Sequence, residues 1–189
     1  SADDYYCPDE AGEDVPAISC AKLYHKSLFD ALRYPVGKLH EDEFTTYLAV
    51  YRAGKVVVTR EALYAYYQNP VGIMLSKWTP RKLHILEATE NQIAFARETG
   101  NLRLLKKAVR QYIYSTYEQI GFAKQWDDPG RGRVLKILRK KLREGLRQGK
   151  DFDLFPLCRE RSWMYEEAYP VKPFWWLYGK LHRGGERQE

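Results

Sequence analysis

Three carboxylates stand side by side at Glu41, Asp42 and Glu43, directly after a turn marked by Pro35 and Gly37. Behind them Phe44, Tyr47, Leu48 and Tyr51 recur at helical spacing, so a helix is predicted from Glu41 to about Arg52, closed by Gly54. The carboxylates then occupy its first turn. Exposed N–H groups and the helix dipole favour negative charge there, which keeps such groups ionised. An ionised carboxylate at a helix start can take the proton of an incoming hydroxyl, which is the work of a general base. Acidic residues are also common in first turns for structural reasons alone, so the cluster by itself leaves both readings open.

The elements that must position this turn can be read around it. Residues 1–16 are acidic, contain two prolines and show no periodicity, which predicts a loop. Residues 17–22 are short and apolar enough for a buried strand, and residues 27–32 suit a short helix with Ser27 as its N-cap. Residues 55–67 include Val56-Val57-Val58 and Leu63-Tyr64-Ala65-Tyr66-Tyr67. That β-branched and aromatic enrichment predicts two short strands or a hairpin around Thr59-Arg60-Glu61. Asn69, Pro70 and Gly72 break the run. From Pro80 to about Thr99 the rhythm of Leu83, Leu86, Ile93 and Phe95 predicts a helix, and Gly100 closes it. Residues 102–122 predict a second helix, paired with the first. After Asp127-Asp128-Pro129-Gly130, residues 133–146 repeat Val134, Leu138, Leu142 and Leu146 among lysines and arginines, the pattern of a basic amphipathic helix. The tail beyond Phe152 is aromatic and irregular.

Bulk properties narrow the classes. The 189 residues are 44% hydrophobic and 30% charged, as in an ordinary folded globular chain. No apolar run approaches the roughly 18 residues of a membrane-spanning helix, and no leader-like segment argues for secretion, so a cytoplasmic location is expected. Cys7, Cys20 and Cys158 are too scattered for a zinc site or a disulfide framework and read as reduced thiols. Residues 1–50 carry 4 basic and 10 acidic groups, whereas residues 101–189 carry 20 and 11. The basic rear suits an anionic partner, or simply a solvated helical surface.

One resemblance goes further. Ile18-Ser19-Cys20-Ala21-Lys22-Leu23-Tyr24, then Leu32-Arg33-Tyr34-Pro35-Val36-Gly37-Lys38-Leu39-His40-Glu41-Asp42-Glu43, resembles the second half of bacterial family 2 glycosyltransferases. That family shows a Lys-Leu-Tyr run, a short helix, a Phe-Pro-x-Gly turn and a Glu-Asp pair in this order. Ala62-Leu63-Tyr64-Ala65-Tyr66-Tyr67-Gln68-Asn69-Pro70-Val71-Gly72-Ile73-Met74 resembles the tyrosine-rich segment that follows, and the paired helices resemble those of capsule and exopolysaccharide enzymes. The likeness covers roughly residues 17–125.

It implies an α/β fragment of the GT-A (nucleotide-diphospho-sugar transferase) fold, predominantly helical, with a few short strands and a C-terminal helical extension. Residues 1–79 would be the acceptor-side part of the catalytic domain, 80–126 the paired helices, and 127–189 the basic helix with its aromatic tail. The implied activity is transfer of a sugar from a nucleotide-diphosphate donor, a UDP-sugar for preference, to a saccharide or lipid-linked acceptor in cell-envelope polysaccharide biosynthesis. Asp42 would be the base, with Glu41 and His40 at the acceptor mouth and Lys22 beside it. Tyr66 and Gln68 would close over the donor. The resemblance further implies a nucleotide-holding half upstream of Ser1. That half would carry the ligands for the Mn²⁺ or Mg²⁺ expected in the complete enzyme, none being assigned in this chain. Ala21, Tyr67 and Gly72 depart from the family's usual Asn, Arg and Ser. The loss of an arginine removes a bidentate phosphate contact, which keeps open a non-catalytic, glycosyltransferase-like interaction module. The basic helix with Trp175 and Trp176 suits a peripheral contact with an anionic membrane, while no nucleic-acid-binding signature is present. Self-association into a homo-oligomer would cover an exposed sheet edge.

Overall fold

The computed structural model describes residues 17–59, 61–67, 69, 72, 76–152 and 162–169. Among these, the regular elements are all helical. Five α-helices follow one another: α1 (Glu41–Arg52), α2 (His84–Glu98), α3 (Leu102–Lys124), α4 (Arg131–Lys150) and α5 (Ser162–Ala168). Short 3-10 turns cover Lys26–Phe29 and Pro80–Leu83.

The α/β expectation is therefore corrected. No strand forms among the described residues, neither in 17–22 nor in 55–67. The second stretch is not helical, but it lies open to solvent, with Val57 77%, Leu63 75% and Tyr67 83% exposed. A strand exists only through the ladder it shares with a neighbour, and no extended segment runs beside this one among the described residues. The side chains ask for a sheet; the tertiary structure supplies none. Ser27 likewise does not cap a helix. It lies inside the 3-10 turn, whose N-cap is His25.

The helices form as their periodicity dictates. α2 and α3 make a hairpin across Thr99–Asn101. Gly100 takes the left-handed conformation at φ 68°, which glycine adopts without steric cost, and the Asn101 N–H reaches the Ala96 carbonyl at 2.9 Å. The Asn101 side chain then accepts from the Leu104 N–H at 2.9 Å and caps α3. α4 returns along α3 and packs tightly. A β-carbon at Gly145 would lie 3.0 Å from both Tyr112 and Ile113, so the absent side chain sets the helix separation.

Leu86, Ile93, Leu104, Val109, Ile113, Ile120, Leu138, Leu142 and Met164 are buried in one cluster to which all five α-helices contribute, α1 through Tyr47 and Val50. α4 thus shares its core with α2 and α3 across the Asp127–Gly130 loop. α5 is fastened to it by Glu167, which pairs with Lys124 and, at 2.9 Å, with Arg139. Burial alone would raise the Glu167 carboxyl, but the hydrogen bonds from Lys124 and Arg139 outweigh it and hold the group below the ordinary glutamate value.

Candidate functional site around Asp42

The start of α1 is entered through His40, which sits in the left-handed region at φ 59° and offers no side-chain cap. Its carbonyl accepts the Glu43 N–H at 3.1 Å, and the Asp42 Oδ1 shares that same N–H at 2.9 Å. The three carboxylates then diverge. Glu43 points into the bundle. One of its oxygens accepts from the Gln92 amide at 3.0 Å and the other from the Gln111 amide at 2.9 Å. Gln92 also reaches the Glu43 carbonyl at 2.8 Å. Glu43 is thus a structural clamp between α1, α2 and α3. Glu41 is half-buried and has no hydrogen bond or ion pair among the described residues.

Asp42 faces the other way, toward the loop before α1. Residues four apart share a helix face, and Asp42 shares its face with Thr46. The Thr46 hydroxyl donates to the Ala17 carbonyl at 2.6 Å, and the Thr45 hydroxyl to the Arg33 carbonyl at 3.3 Å. Both threonines are buried. These two bonds hold the loop of residues 17–34 against α1 and bring Lys22 and Tyr24 near Asp42, with Tyr34 beside Tyr24. The Lys22 ammonium donates to the Ile18 carbonyl at 2.6 Å. Burial lowers its pKa from the usual lysine value, while the neighbouring Cys20 and Asp42 charges oppose that shift. Burial also pushes the Tyr24 phenol up to about 12, helped by the adjacent Tyr34 phenol and by the Asp42 charge. Phe29 packs between the two tyrosines, 5.3 Å from the Tyr24 ring and 5.9 Å from that of Tyr34. Both phenolic hydroxyls are buried without a hydrogen-bond partner among the described residues.

The structure thus brings together Lys22 and Asp42, with His40 and Glu41 beside them in the chain. Tyr66 is 65% exposed and makes no hydrogen bond or ring contact among the described residues. Gln68 lies outside the described residues, as do Cys7, Cys158, Trp175 and Trp176. Sequence reasoning missed Tyr24 and Thr46 as neighbours of Asp42. The helical spacing from Asp42 to Thr46 was the signal available for the last of these. No family model matches the chain. No curated protein and no solved structure is significantly similar to it either. Among the described residues no group of three His, Cys, Asp or Glu side chains is placed to hold a metal. These residues do not fit a divalent cation.

A second histidine fixes the approach to the site. His84, at the start of α2, accepts the Leu39 N–H on Nδ1 at 3.0 Å, next to the Lys38–Glu87 ion pair at 2.6 Å. Burial lowers the His84 pKa below 6.5, Lys38 and Arg81 lower it further, and Glu87 partly opposes them. In the unfolded chain the group returns to its ordinary value, so on acidification the unfolded state takes up the proton first. The stabilisation is therefore complete above the unfolded pKa and is lost as pH falls through the folded one. The melting temperature is expected to fall between about pH 7.5 and pH 5, and His84→Gln should flatten that part of the profile. An unchanged profile in the variant would remove His84 as the cause.

Proposed function

We propose that this chain supplies the acceptor-side chemistry of a family 2 glycosyltransferase, with Asp42 as the general base. The observation that carries the reading is the division of labour among the first-turn carboxylates. Glu43 is bound by two glutamine amides. Asp42 is neither ion-paired nor fully buried, and its charge acts on Lys22 and Tyr24. Asp42 spends one oxygen on the Glu43 N–H, and its other oxygen makes no hydrogen bond among the described residues.

In the proposed step an acceptor hydroxyl hydrogen-bonds to the Asp42 carboxylate. Its oxygen attacks the anomeric carbon of the donor sugar, and the carbon–oxygen bond to the nucleoside diphosphate breaks. The diphosphate leaves with the electron pair, while Asp42 takes the hydroxyl proton. Lys22, half-buried beside Asp42, is suited to hold a neighbouring acceptor hydroxyl.

The reading is tested by adding a panel of oligosaccharides to the isotopically labelled chain and following its backbone amide resonances. Saturable shifts confined to residues 18–24 and 40–46 are expected with at least one saccharide. Shifts elsewhere only, or none across the panel, would reject an acceptor site at Asp42.

A further inference from the structure

α4 carries nine cations and a single carboxylate in twenty residues. The fold uses some of them. Arg139 pairs with Glu167, Lys141 with Glu90, and Arg143 donates to the Ala168 carbonyl at 2.7 Å. These lie on the flanks of the helix. Four others lie elsewhere. Arg133, Lys136, Lys140 and Arg147 fall within an arc of about 60° on the helical wheel and extend along about 21 Å of helix. The opposite face holds the buried Leu138, Leu142, Gly145, Leu146 and Gly149.

Arg133, Lys136 and Arg147 are exposed and have no ion pair among the described residues. Lys140 meets only Glu144, at 3.8 Å, with the lysine side chain 74% exposed, a geometry that contributes little. Like charges three and four residues apart repel on a helix surface. Lys136 has Arg133 on one side and Lys140 on the other at those spacings, so the ridge works against the helix that bears it. A polyanionic surface reverses that sign.

We propose that this ridge docks the protein on a bilayer surface rich in anionic phospholipid headgroups. The argument rests on charge complementarity and shape, and it is independent of the glycosyl-transfer reading. A straight ridge on the outside of a helix meets a plane along its whole length. Ile137, 48% exposed and about 40° round the helix from Arg133 at the edge of the ridge, gives an apolar side chain a route below the headgroups while the cations stay with the phosphates. No helix among the described residues is long and apolar enough to cross a membrane, so this is attachment to a surface. Single-stranded nucleic acid would call for aromatic platforms between the cations, and this face presents none.

The test is co-sedimentation of the whole chain with vesicles of phosphatidylcholine alone, or with about one third phosphatidylglycerol. Binding is expected to the anionic vesicles only, and to be lost on raising NaCl from about 0.1 M to 0.5 M. The variant Arg133→Gln, Lys136→Gln, Arg147→Gln alters exposed side chains only and should keep the native circular dichroism spectrum. Its partition coefficient is expected to fall about 100-fold. Three results would overturn the proposal: no binding by the natural chain, equal binding to neutral vesicles, or undiminished binding by the variant. A fluorescent oligonucleotide in the same buffer is the competing partner. If it binds more tightly than the anionic vesicles, the ridge belongs to nucleic acid instead.

Discussion

On the glycosyl-transfer proposal, replacing Asp42 with asparagine is expected to lower the rate of sugar transfer by about 10²–10⁴-fold. Donor affinity should stay nearly unchanged. Asparagine has the same shape, and its carbonyl oxygen can still accept the Glu43 N–H now held at 2.9 Å. What it cannot do is take a proton. The substitution therefore separates the acid–base role from the local fold, because the amide preserves the first-turn hydrogen bond. The measurements are turnover at saturating donor and acceptor, donor affinity by calorimetry, and thermal unfolding of the variant. Full turnover in a folded Asp42→Asn enzyme would end the assignment. The same experiment at Glu43 would be uninformative. That carboxylate bridges Gln92 and Gln111, and its loss would disturb the packing of three helices.

The second large effect is on stability. Leu142→Ala is expected to destabilise the fold by about 2–5 kcal/mol, read from urea denaturation. Leu142 is fully buried in α4, in the stripe it shares with Leu138 and Leu146. Gly145 holds α4 too close to Tyr112 and Ile113 for easy collapse into a new cavity. Tyr112 is itself held by a 3.0 Å hydrogen bond to Glu90. Burial, together with the adjacent Glu90 charge, raises its phenol well above the ordinary tyrosine value, so it stays neutral as part of the wall. A cost below about 1 kcal/mol would mean that α4 is an appendage loosely laid on α3 rather than a member of the core.

The helices were legible because their information is local. Phe44, Tyr47, Leu48 and Tyr51 mark α1 at a period that only a helix produces, and its ends at Glu41 and Arg52 match that reading. The apolar residues repeating every four positions in α4 predicted its buried face, although the helix runs beyond 133–146, from Arg131 to Lys150. First-turn acidity, too, is a property of consecutive residues, and it placed Asp42 at the start of α1. Even the basic excess of the rear half is visible in a count of charges.

What the sequence alone could not settle depends on partners distant in the chain. β-branched and aromatic residues at 55–67 are compatible with a strand, yet a strand needs a neighbour, and the described residues place none beside it. Local propensity was outvoted by the absence of a ladder. The carboxylates make the same point at smaller scale. As a sequence, Glu41-Asp42-Glu43 is three equivalent acids. Only the tertiary structure sends Glu43 to glutamines 49 and 68 positions away and turns Asp42 toward Lys22 and Tyr24. It does so because the buried hydroxyls of Thr45 and Thr46 hold the preceding loop against α1. Likewise, only the packing of α4 decides which of its cations are consumed by Glu90 and Glu167 and which stand outward. Periodicity fixed which helices form, and composition which residue types are on hand, since both are set by near neighbours. Which face meets which, and so which charge is left over for chemistry or binding, followed from contacts that no local pattern encodes.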